Sequence, residues 1–117
     1  MFRPLSEETH PADSRGLEEI DRVTYEMRRV LKKLGIKFSF QSPPFSRQST
    51  TLVLRDGADL TEVKSYASTA LGFKSDDQGR SFWKSMHGID LIITFPLVST
   101  RDGNLNRLAI RIAYQPQ

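Results

Sequence analysis

The sequence predicts an α+β fold: a single antiparallel sheet of four to five strands with two helices packed on one face, in the order α-β-β-α-β-β-β. Three observations lead there. Apolar residues recur at three- and four-residue steps in two separate stretches, 17–34 and 60–71. Short runs between and after them carry apolar residues at every second position instead. Helices and strand pairs are also segregated along the chain, which fits α+β better than a parallel βαβ arrangement. At 117 residues there is room for one modest core, because a domain of that size hides roughly two-thirds of its surface.

The elements follow in order. Residues 1–13 hold Pro4 and Pro11 and have no period. They are expected to form a flexible arm ahead of a single domain, 14–117. Leu17, Ile20, Val23, Met27, Val30, Leu31 and Leu34 then line one face of a helix, with Glu18, Arg22, Glu26, Arg29 and Lys33 on the other. The spacing suggests ion pairs Glu18–Arg22, Arg22–Glu26 and Glu26–Arg29. Glu18, Glu19 and Asp21 near the start and Arg28, Arg29, Lys32 and Lys33 near the end suit the helix dipole. Asp13 or Ser14 is placed to cap the start, and Gly35 to take the left-handed position after the end.

Ile36, Phe38 and Phe40 alternate with Lys37 and Ser39, a half-buried strand. Residues 41–49, with Pro43 and Pro44, read as a loop, and 50–55 as a second strand ended by Asp56-Gly57. Asp59 followed three residues later by Glu62 resembles a capping box. The helix it opens shows Leu60, Val63, Ala67, Ala70 and Leu71, and Gly72 closes it. Residues 74–80 read as a polar loop, 81–86 as a short strand and 89–95 as a central strand with Pro96 at its end. Residues 100–104 read as a hairpin turn. The final strand sets Leu108, Ile110, Ile112 and Tyr114 against Arg107, Ala109, Arg111 and Ala113.

Composition excludes several chemistries. The chain has no cysteine, so disulfides, thiolate metal sites and a cysteine nucleophile are out. Two histidines, His10 and His87, leave little for a zinc site. Neither a phosphate loop nor a dinucleotide fingerprint is present. His87 with Asp90, near Ser81 and Ser85, is the best arrangement on offer for an enzyme. A strand–glycine–strand segment gives those side chains no reason to converge. Asp76-Asp77 lacks a third ligand at metal spacing. The expectation is a protein that is not an enzyme and uses no cofactor and no metal.

Net charge is +3, and its distribution says more than its size. Segment 59–79 carries −2, while 80–117 carries +3. A basic surface of that kind can attract phosphate or anionic lipid. Arg107 and Arg111 share the polar face of the last strand, about 13 Å apart at the strand rise. With Arg101 in the adjoining turn and Lys84 ahead of it, they form the expected nucleic-acid or anionic-surface contact. Phe82 or Trp83 would serve as a stacking partner for a base, although both rings are expected in the core. Phe45, in the loop after Pro43-Pro44, and Tyr114, at an expected sheet edge, are the candidate contacts for a protein partner. The longest apolar run, 89–98, is broken by Asp90, Thr94 and Pro96 and is too short to span a bilayer. The N-terminus is polar and mixed in charge rather than a secretory signal, so the expected location is cytoplasmic or nuclear.

A family resemblance rests on helix 1 and its flanks. His10-Pro11-Ala12-Asp13, followed by the run from Tyr25-Glu26-Met27-Arg28-Arg29-Val30-Leu31 to Lys37-Phe38, resembles the first helix and next strand of the kinase-associated C-terminal domain. That domain closes the AMP-activated, microtubule-affinity-regulating and checkpoint kinases. Residues 51–55 and the hairpin 91–112 correspond to its later strands, so the resemblance covers about half the chain. It implies a non-catalytic module that binds anionic phospholipid and restrains a kinase domain. Two departures stand against it: residues 56–88 would be an insertion, and the family's closing helix has no counterpart before Gln117.

Together these features point to a non-catalytic binding module. Its role would be regulatory or in assembly, through a protein partner, a homodimer or anionic lipid, with no small-molecule substrate and no membrane span. The alternative is a small basic RNA- or DNA-binding protein using the arginine-bearing strand face.

Overall fold

The computed structural model describes residues 11–41, 49–55, 59–98 and 107–117. Helix α1 (Pro11–Lys33) leads to strands β1 (Phe38–Gln41) and β2 (Ser49–Leu54) and helix α2 (Thr61–Thr69). Strands β3 (Lys74–Ser75), β4 (Ser81–Met86), β5 (Ile89–Thr94), β6 (Leu97–Val98) and β7 (Arg107–Pro116) follow. The α+β class is as expected. The strand number is not: six strands lie in the order β1-β2-β7-β5-β4-β3, and β6 pairs with β7 beside them. The two additions, β3 and β6, are two residues each, too short to leave a period in the sequence. All pairings are antiparallel.

Helix α1 begins at Pro11, inside the segment expected as an arm. Proline is tolerated in a first helical turn, where its missing N–H has no intrahelical partner to lose. The earlier start moves Glu18, Glu19 and Asp21 away from the N-terminus, while Lys32 and Lys33 meet the dipole in the last turn. The other end stops as expected. Gly35 has φ of 76°, its N–H bonds the Lys32 carbonyl at 3.1 Å, and the Ile36 N–H bonds Leu31 at 2.9 Å. These are the two bonds of a Schellman motif. Arg22 pairs with Glu19 rather than Glu18 or Glu26, and Arg29 pairs with Glu26 at 2.7 Å.

Helix α2 starts without a capping box. Its N-cap is Leu60, which has no side-chain cap bond. Asp59, one residue earlier, accepts from the Thr61 N–H at 2.9 Å and the Thr61 hydroxyl at 2.6 Å. The two helices are tied by polar bonds: Tyr66 donates to Glu26 at 2.6 Å and Arg29 donates to Tyr66 at 2.9 Å.

One core joins both helices to one face of the sheet. Ile20, Val23, Met27 and Leu31 of α1 and Val63 and Ala67 of α2 are buried with Leu52, Leu54, Phe82, Leu91, Ile93, Ile110 and Ile112. α1 lies over β7 and β5. Gly16 lets it approach closely, since a β-carbon there would collide with the Tyr114 ring. Among the described residues, no helix is long and apolar enough to cross a membrane.

Candidate binding face

Period-2 alternation divides each strand between two environments. Register carries the division across the sheet. Thr50, Ile112, Ile93 and Phe82 are cross-strand partners in sequence, and that row faces the helices. One residue along, Thr51, Arg111, Thr94 and Ser81 form the row on the opposite face. A third row on that opposite face runs Ser49, Ala113, Ile92, Trp83 and Lys74. Neither described helix packs there, because the core residues of both join the first row.

The face without a helix mixes small and hydroxyl side chains with Val53, Ile92 and Trp83 and with the cations Arg111 and Lys74. Arg111 is exposed, flanked by Thr51 and Thr94. Trp83 keeps 38% of its surface exposed. At strand spacings of about 4.8 Å and about 3.4 Å per residue, two strands across and two residues along, Trp83 and Arg111 stand about 12 Å apart. Lys37 and Arg55 extend the face at the β1–β2 end, where the Arg55 N–H bonds the Lys37 carbonyl at 2.9 Å. Asp90 brings a carboxylate, but it is engaged. Ser85 donates to it at 2.6 Å and Gln117 at 2.9 Å. Those bonds, that from Ser85 first, hold the Asp90 carboxyl below its ordinary value.

The residues expected from the sequence separate here. Arg111 is where the alternation puts it, on the polar side of the last strand. Arg107 lies on the same strand, but its side chain, Arg101 and Phe45 fall outside the described residues. Lys84 does not join the basic row. It is the cross-strand partner of Leu91, so it sits on the helix-covered face. There its ammonium donates at 3.0 Å to the carbonyl of Leu71, two residues past the end of α2. Tyr114 is not at an edge. β7 is paired on both sides, by β2 and β5, and Tyr114 is 4% exposed. The edges belong to β1 and β3 instead. Phe82 is in the core as expected, and Trp83 is not. The signal that places Trp83 is register with Arg111, which needs the pairing of three strands and is invisible along one.

Of the polar residues weighed for catalysis, Ser85 and Asp90 come together, cross-strand partners joined by a 2.6 Å hydrogen bond. His87 and Gly88, with φ of 45° and 91°, form the two-residue turn between β4 and β5, the geometry of a type I′ hairpin. His87 is exposed there while Asp90 bonds Ser85 and Gln117. Asp76 organises the β3–β4 turn, accepting from the Arg80 N–H at 2.8 Å. That bond leads the causes lowering its pKa. Among the described residues, no three of His, Asp and Glu gather at metal-binding distance.

Compared with known proteins, the chain matches no family model, no curated sequence and no solved structure.

Proposed function

We propose that this chain is a non-catalytic binding module with a regulatory or assembly role, and that the helix-free sheet face meets its partner. The observation that carries the reading is the pairing on that face of exposed Arg111 and half-exposed Trp83, with its carboxylate, Asp90, already hydrogen-bonded. A cation and an amphipathic ring set among small hydroxyl side chains suit the boundary of an anionic lipid surface, where the ring lies at the headgroups and the guanidinium meets phosphate. This agrees with what the resemblance to kinase-associated domains implies. A protein partner or a second copy would use the same face or the side of β1 that no described strand pairs, and a cytoplasmic or nuclear location follows from the same reading.

A second reading has its own support. Trp83, expected in the core, lies on the arginine-bearing face, where a base can stack on it while Arg111 meets a phosphate. One experiment separates the two. Wild type, Arg111→Glu and Trp83→Ala are tested for sedimentation with phosphatidylserine vesicles and for a shift of labelled single-stranded RNA and DNA. The first reading expects vesicle binding lost in Arg111→Glu and no nucleic-acid shift. A salt-sensitive shift lost in both variants supports the second. If wild type binds neither and sediments as a monomer, the sheet face is simply solvated and the proposal fails.

A further inference from the structure

We propose a second site, on the helix-covered side of the molecule: the groove between α2 and the end of the sheet binds a small amphipathic anion, a molecule with an apolar body and one acidic head. The groove holds about 520 Å³, within the roughly 300–1,000 Å³ usual for small-molecule sites. It lies where the first turn of α2, the start of β4, the end of β5 and the start of β7 come together, and it is independent of the Arg111 face.

Its floor is apolar and fixed. Leu60 is buried, and Phe95 and Leu108 are half-buried against the core. Phe95 stands edge-to-face on the core ring Phe82, with centroids 5.7 Å apart, so an occupant would meet a surface that is already ordered. Its rim is cationic. The Lys64 ammonium sits 5.0 Å from the centre of the Phe95 ring, and Arg80 is exposed beside it. Neither has an ion-pair partner among the described residues.

The groove also contains a carboxylate, Asp59, but its Oδ1 already accepts from the N–H and hydroxyl of Thr61. Asp59 stays a carboxylate, and against it stand two cations, Lys64 and Arg80, so the groove lining carries a net charge of +1. An apolar body laid on Phe95 and Leu108 would bring an acidic head to Lys64 and Arg80, where charge-assisted hydrogen bonds are the strong ones. An uncharged body would forgo those bonds, and a head without a body would forgo the floor.

The test titrates the full chain, labelled with ¹⁵N, with decanoate, and with decanol and acetate as the two halves of the ligand. Decanoate should shift the amide signals of Thr61, Lys64, Arg80 and Leu108 saturably and leave those of Thr51, Trp83 and Arg111 in place. Decanol and acetate should each bind at least about tenfold more weakly, a difference of about 1.4 kcal/mol. The double variant Lys64→Ala/Arg80→Ala should weaken decanoate by a similar factor. Arg80 is exposed and Lys64 half-buried, and an unchanged amide spectrum elsewhere shows that the variant is folded. Three results would overturn the proposal: no saturable shift with decanoate, shifts centred on another surface, or equal affinity for decanol. Equal affinity of the double variant would do the same.

Discussion

On β7, Ile110 and Ile112 lie sealed against the helices, while Arg111 between them projects from the face with no helix. The contrast repeats on β5, where buried Leu91 and Ile93 alternate with half-buried Ile92 and Thr94, but not on β2, where Thr51 and Val53 are buried along with Leu52 and Leu54. The covered face gathers large aliphatic side chains, and each of them removes surface from water. The free face carries alanine, serine and threonine together with Val53, Ile92, Trp83, Lys74 and Arg111. Ala109, Ser49, Thr51 and Val53 are buried on the free face as well.

The largest effect expected from breaking this contrast comes from the covered face. Leu91→Ala removes a fully buried side chain and should cost about 2–5 kcal/mol, as buried leucine truncations do. Urea unfolding measures it. A loss under about 1 kcal/mol would mean the helices do not seal that face. Next is Gly16→Ala. The added methyl would meet the Tyr114 ring, so α1 must shift on β7 or the ring must turn. Overpacking of that kind costs about 1–3 kcal/mol. The change is informative because alanine should otherwise improve a helix by about 1 kcal/mol. A stabilised variant would show that the close approach does not exist.

A smaller effect should appear with pH. Glu26 has a lowered pKa, first through its bond from Arg29 and then through that from Tyr66. Asp59, Asp76 and Asp90 are lowered too. A carboxyl whose folded pKa lies below its unfolded value contributes stability that is present above the unfolded value. That stability is lost as pH falls through the folded one. Stability should therefore be flat near neutrality and decline with acid below about pH 4.5. In Glu26→Gln the decline should be shallower, as followed by melting temperature across pH 2–7. An identical slope in the variant would mean the bonds linking α1 to α2 are absent in solution.

The smallest change in stability belongs to the free face. Arg111→Ala should stay within about 0.5 kcal/mol of wild type, while abolishing whichever anionic partner the face holds. A large destabilisation would make Arg111 a structural residue and remove the contrast between the faces.

Much of this was legible beforehand because it is local. The helical stripe from Ile20 to Leu31, the glycine stop at Gly35, and the alternation from Leu108 to Tyr114 each depend on residues within a few positions of one another. The position of Arg111 on a polar face was legible for the same reason. Other features needed distant residues. Lys84 looks like one more surface cation until the segment just after α2 arrives over β4 and supplies the Leu71 carbonyl. Tyr114 looks like the tip of a final strand until β5 pairs it through Leu91 and α1 brings Gly16 against its ring. Trp83 looks like core because it is large and apolar, and its neighbour Phe82 does fill that role. The phase of β4 decides between them.

By itself, then, the sequence determined the class of each long element, the periodic faces and the turns where glycine must take positive φ, since these follow from backbone geometry and near-neighbour contacts. Only the tertiary structure decided the order of strands, the two-residue strands at the margins, and which polar residues share a surface. Those depend on pairing between segments far apart in the chain. The entropy of closing such loops is met by the core as a whole, so no single segment records the outcome.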